Sequence, residues 1–222
     1  MTNCEQLNVL LGTGGEPYQL RSVYRALPAI SLVCCPEARS RELNVFVTGE
    51  EMGLLGSDYF VHAPTVPLNK IVANVNIDGA PGLLFPMKDV VAMGAEHSSI
   101  DRDAEAAARA TGYVLIADPM PEEAGFVRSD QYSFVLQGVP VVNISDGITS
   151  TDPKINGLAV EKKWLVTRYH TPLDNMEQPL DYESGAKAAE LNFLVGYELA
   201  QRDHPPEWNK EDFFGTKFAQ TH

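Results

Sequence analysis

Leu43-Asn44-Val45-Phe46-Val47-Thr48-Gly49-Glu50-Glu51-Met52-Gly53-Leu54-Leu55-Gly56-Ser57 is the stretch on which the reading of this chain turns. Leu43–Thr48 reads as a strand, and helical character begins at Gly53. Between them stand two adjacent carboxylates. Such a pair at the end of a buried strand is costly to desolvate without a partner, and a cation is the usual partner. Consecutive strand residues point to opposite sides, so the turn splits the pair. One carboxylate can then hold a metal while its neighbour faces a substrate as a general base. Taken alone, a Glu-Glu pair more often marks a solvated helix start, where acidic residues suit the helix dipole.

Outward from this turn, the chain alternates strand and helix. Lys70–Ile77 is a β-branched apolar run that stops at Asp78-Gly79, so a central strand and a turn. Val90–Met93 predicts another strand. Ser98-Ser99-Ile100-Asp101 opens a helix that Gly112 closes. Tyr113–Ala117 predicts a strand, Ser129–Gln137 a short helix ended by Gly138, and Val139–Ile144 a strand with its proline near the start. Glu183–Arg202 carries apolar residues at helical spacing. The alternation implies an α/β fold, a mostly parallel central sheet flanked by helices. Ligands gather at the carboxyl ends of strands in such sheets, where Glu50, Glu51 and Asp78 fall. His170 ends a long turn-rich connection, roughly Ser145–Tyr169.

Three regions follow: residues 1–40 as an irregular segment, 41–202 as the α/β domain, and 203–222 as a polar tail with aromatics, packing loosely. His97, His204 and His222 read as surface residues. The chain has 222 residues, 44% hydrophobic and 21% charged, enough for one domain with a substantial core. A net charge of −13 argues against nucleic acid or an anionic membrane as partner. No apolar run reaches the ~18–20 residues of a membrane span. The first residues, Met1–Gln6, lack the basic start and apolar stretch of a signal peptide, so export by that route is not expected of the chain as written. Cys4, Cys34 and Cys35 form neither a disulfide framework nor zinc-finger spacing. Gly12–Gly15 lacks the lysine of a phosphate loop. Asn143 heads a glycosylation sequon but belongs to a buried strand. The absence of a Gly-x-Ser-x-Gly elbow disfavours a serine hydrolase.

Four segments carry the chemistry, in this order: Glu50–Ser57, Asn76-Ile77-Asp78, Ser129–Phe134 followed by Gly138-Val139-Pro140, and Tyr169-His170-Thr171. Together they resemble the M28 family of zinc aminopeptidases, with its EE-x-G-L-x-G-S turn, N-x-D strand end, S-D-H-x-x-F helix before G-I/V-P, and late Y-H-T. The resemblance covers roughly Arg41 to Arg202. It implies a three-layer zinc-exopeptidase-like sandwich, two zinc ions, and a peptide or aminoacyl substrate. It implies that Glu50 is the general base, that Glu51 and His170 ligate one zinc, and that Asp78 ligates the other. It also implies that Asp130 and Asp174 orient ligands or loops around them. Glu50, Glu51, Asp78 and His170 are expected to converge in one small cleft.

The chain departs from the family pattern upstream. Residues 1–49 contain no histidine and no aspartate, so an upstream His-x-Asp segment and its bridging carboxylate have no counterpart. Gln131 stands where the family has histidine. The metal site is therefore expected to be incomplete, with His62 and His97 as the conceivable substitutes. Two other functions share this sequence: a glutaminyl-cyclase-like aminoacyltransferase, which needs the same upstream aspartate, and a non-catalytic binding or scaffold domain that has lost its metals.

Overall fold

The computed structural model describes residues 5–11, 41–79 and 81–219. Six strands form one sheet: β1 (Glu5–Leu11), β2 (Arg41–Val47), β3 (Ile71–Ile77), β4 (Asp89–Met93), β5 (Val114–Ile116) and β6 (Val141–Asp146), in the order β2-β1-β3-β6-β4-β5. Parallel pairing joins β3 to β6 and β4 to β5, while β1 runs antiparallel to both β2 and β3, and β4 to β6. Because β2 and β3 both oppose β1, they run the same way, and their carboxyl ends share one edge of the sheet. That edge receives Glu50, Glu51 and Asp78.

Helices cover both faces, giving three layers. On one face lie α2 (Asp101–Thr111) and α5 (Tyr182–Gln201), packed against Ala73, Val75, Val90, Val142 and Ile144. Both helices earn their place by apolar spacing: Ala104, Ala107 and Ala108 on α2, and Ala188, Leu191, Val195 and Leu199 on α5, are buried. Gly112 ends α2 in the left-handed conformation that favours glycine. On the other face, α1 (Leu55–His62) and α3 (Gln131–Val135) bury Phe60, Val61, Phe134 and Val135. The α/β class holds, and the strands and helices read between Arg41 and Gly138 fall within a few residues of their expected places.

Four expectations need correction. Residues 5–11, read as part of an irregular segment, form β1. Its place is set by pairing with two strands that lie far away in sequence, which no local pattern reveals. The cysteines and Gly12–Gly15 lie outside the described residues. Within the connection from Ser145 to Tyr169 sits a helix, α4 (Gly157–Thr167), started by the Asn156 side chain accepting from Ala159 N at 3.1 Å. Residues 203–219 do not pack loosely. Trp208 donates its indole N–H to Gly138 O at 2.8 Å, and α6 (Phe213–Phe218) adds Phe214 and Phe218 to the core. His97 is no surface residue: it packs against the rings of Phe126 and Phe214 and meets Asp212 Oδ2 at 2.7 Å. His222 lies outside the described residues.

A second acidic pair sits on the α4 side. Burial pushes Asp146 up to about 6, although Gly82 N–H donates to it. Burial and the charge of Asp146 push Glu161 up to about 7, and one of its oxygens is buried without a partner among the described residues. Both shifts are upward, so the folded state holds these protons more tightly than the unfolded chain. Stability is therefore lost as pH rises from about 4.5 to about 7. Glu161→Gln should stabilise the protein at pH 8 by about 1–2 kcal/mol, less than the full shift implies because the side chain still reaches water. The gain should vanish near pH 5. Thermal unfolding of both proteins across this range measures it, and a gain that is constant with pH would refute the assignment.

Candidate active site

The turn after β2 is built by left-handed backbone. Gly49 (φ 78°) and Gly53 (φ 98°) bracket a single 3-10 turn over Glu50–Met52, and Leu54 (φ 58°) follows. Only glycine takes such angles at no steric cost, which explains two glycines of the motif. The third, Gly56, has a different reason. A Cβ there would stand 2.5 Å from Thr48 O and 2.7 Å from Thr48 N, so the first turn of α1 presses directly on the end of β2. Gly56→Ala must push that backbone apart and with it the Glu50-Glu51 turn. A loss of about 3 kcal/mol is expected in denaturant unfolding. Ser57 completes the joint: its hydroxyl lies 2.9 Å from that of Ser133 on α3.

The turn delivers Glu51 against His170, with Oε1 to Nε2 at 2.8 Å. His170 follows α4 with φ 56°, and Tyr169 stacks on its ring at 3.6 Å. Both partners of the pair are about half exposed, at 46% for His170 and 48% for Glu51. Asp78 extends from the end of β3 into the same space. Burial pushes its carboxyl up. The hydroxyl of Ser129 donates to it and opposes the rise, the charges of Asp130 and Glu51 add to it, and His170 opposes it. Glu50 is pushed up to about 7, first by burial and then by Asp78, Glu51 and Asp130, with Arg128 opposing. Glu51 and His170 are thus in contact, and Glu50 and Asp78 lie close enough to feel the charge of Glu51, with Arg128 also near Glu50.

Asp130 lies behind them, 1% exposed, with neither carboxylate oxygen hydrogen bonded among the described residues. Asp174 lies further along the chain. It sits on the exposed loop after His170, where its Oδ1 accepts from Gln178 Nε2 at 2.6 Å, so it braces that loop. His62 turns to Asp58 O at 2.8 Å and His97 to Asp212, so both are engaged away from Glu51 and His170.

Sequence reasoning passed over two residues. Ser129 accepts from Asn76 Nδ2 at 3.1 Å while donating to Asp78. Gln131 is fully buried. Its Oε1 accepts from Asn76 Nδ2 at 2.7 Å, and its Nε2 donates to Phe126 O at 3.0 Å. Both stand in the quoted motif, so the signal was present. The amide at 131 ties β3 to the loop before α3, a task that needs one acceptor and one donor rather than a charge.

The donors present are carboxylate oxygens and one imidazole, which suit zinc. The unpaired, buried Asp130 beside Glu50 and Asp78 marks a place short of positive charge. The number of donors falls short: among the described residues, no group of three His, Cys, Asp or Glu side chains is placed to hold a metal ion.

Residues 41–195 match the family model for peptidase family M28. The chain belongs to this family. Two solved structures share the fold: BSAP, a zinc aminopeptidase from Bacillus subtilis, with 22% identity and a TM-score of 0.52, and an aminopeptidase from Aneurinibacillus sp. strain AM-1, with 18% and 0.51. Each match covers 74% of this chain but only 37% and 35% of the respective structures, so the chain spans little more than a third of their length. No curated protein is similar enough to count as a match. Among the described residues no helix is long and apolar enough to cross a membrane.

Proposed function

We propose that this M28 site belongs to an aminopeptidase-type metallo-exopeptidase acting on the N-terminal bond of a peptide or aminoacyl substrate. The observation that carries the reading is the 2.8 Å contact of Glu51 with His170, with Glu50 and Asp78 close enough for the charge of Glu51 to act on both. Glu51 and His170 would hold one zinc, and Asp78 would contribute to a second. Zinc, when bound, polarises the scissile carbonyl and makes water easier to deprotonate. Glu50 takes the proton of the attacking water on its carboxylate and passes it to the leaving amine. Asp130 orients the cluster from behind, with Ser129 fixing Asp78. The neighbours named as aminopeptidases support the reading through the shared fold.

A second reading rests on the donor shortfall: a non-catalytic M28 domain that binds peptides without cleaving them. Hydrolysis of aminoacyl anilides by the full chain, with zinc in excess to fill weak sites, separates the two. Slow, zinc-dependent turnover supports the peptidase. No turnover of any aminoacyl substrate at saturating zinc overturns it in favour of the binding domain.

A further inference from the structure

His170 has little to hold its ring in place. It is nearly half exposed, and its left-handed backbone is a conformation that non-glycine residues keep only when the surroundings impose it. The surroundings form a chain of contacts that starts on α4. The half-buried indole of Trp164 lies 5.1 Å from the ring of Tyr169, and Tyr169 stacks on His170. The indole itself is pinned, because its N–H donates to Gln178 Oε1 at 3.1 Å while Gln178 Nε2 donates to Asp174. Its backbone carbonyl accepts from both Arg168 N, at 2.8 Å, and Tyr169 N, at 3.2 Å. Arg168 Nη1 closes the same loop by donating to Leu173 O at 2.8 Å.

We propose that Trp164 is a positioning residue, which, clamped by Gln178 and Asp174, sets the plane of Tyr169 and so aims the His170 imidazole at Glu51. The consequence for metal binding rests on the reading of His170 as a donor. The positioning itself does not. A donor ring aimed in advance loses less freedom on binding, and removing such outer support typically costs 10–100-fold in metal affinity. The N–H···O bond is a fixed direction that a merely space-filling residue would not need.

The test uses the full chain. The His170 ring protons, read by NMR, should carry an upfield shift from the Tyr169 ring stacked on His170. Trp164→Ala should reduce that shift and weaken zinc binding about 10-fold by calorimetric titration. Trp164→Phe, which keeps a ring but loses the N–H, should fall between the two, and Gln178→Leu should resemble it. The last two variants keep the test open if Trp164→Ala fails to fold, which circular dichroism reports. Unchanged His170 ring shifts in all folded variants would overturn the proposal. His170→Ala is the control for the underlying reading. If it leaves zinc affinity untouched, His170 is no donor, while the ring shifts still decide whether Trp164 positions it.

Discussion

Glu50→Gln should lower turnover of an aminoacyl substrate by about 10²–10⁴-fold when zinc is in excess, with the fold and zinc binding essentially unchanged. The magnitude is that of a lost general base. The separation from metal binding follows from the geometry, because Glu51, not Glu50, makes the 2.8 Å contact with His170. Glutamine keeps the size of the side chain and removes its charge. Glu50 is crowded by Asp78, Glu51 and Asp130, so losing one anion should not harm the fold and should relieve repulsion. Circular dichroism and calorimetric zinc titration alongside the rate assay check each part. Full turnover in Glu50→Gln would show that another group accepts the water proton. A collapse of zinc binding would show that Glu50 is a donor.

Purified without added zinc and dialysed, the 222-residue chain should retain the metal well below one ion per chain. Catalytic zinc normally has three protein donors and an open position. Here Glu51 and His170 offer two for one ion, and Asp78 one for the other. Residues 1–49 hold no histidine or aspartate, and His62 and His97 are engaged elsewhere. Two cations side by side also repel each other when no carboxylate bridges them. Hydrolysis should accordingly depend on added zinc and stop with a chelator. Elemental analysis after dialysis provides the measurement. Two ions held through dialysis, together with robust hydrolysis, would mean that donors beyond Glu51, Asp78 and His170 complete the site.

Much of this protein was determined by the sequence alone, because the deciding signals are local. The apolar runs of β2, β3 and β6 and the spacing on α2 and α5 need only the periods of strand and helix. Gly49 and Gly53 betray a turn that no other residue makes without strain. The pair Glu50-Glu51 and the strand-end Asp78 announce a charged site because buried carboxylates demand partners. Tertiary structure decided what depends on residues distant in sequence. β1 exists through its two neighbours. α4 escaped notice because of its residues only Gly157 is buried, so it has no clear apolar stripe to read. The aromatic tail looked loose until Trp208 and Phe214 found the core, and His97 looked exposed until Asp212 and two rings enclosed it. Asp174 and His170 are four residues apart, yet the first turns to Gln178 and the second to Glu51. A side chain's direction is set by the backbone angles and contacts around it, and at φ 56° for His170 those are properties of the folded loop, not of the letters that spell it.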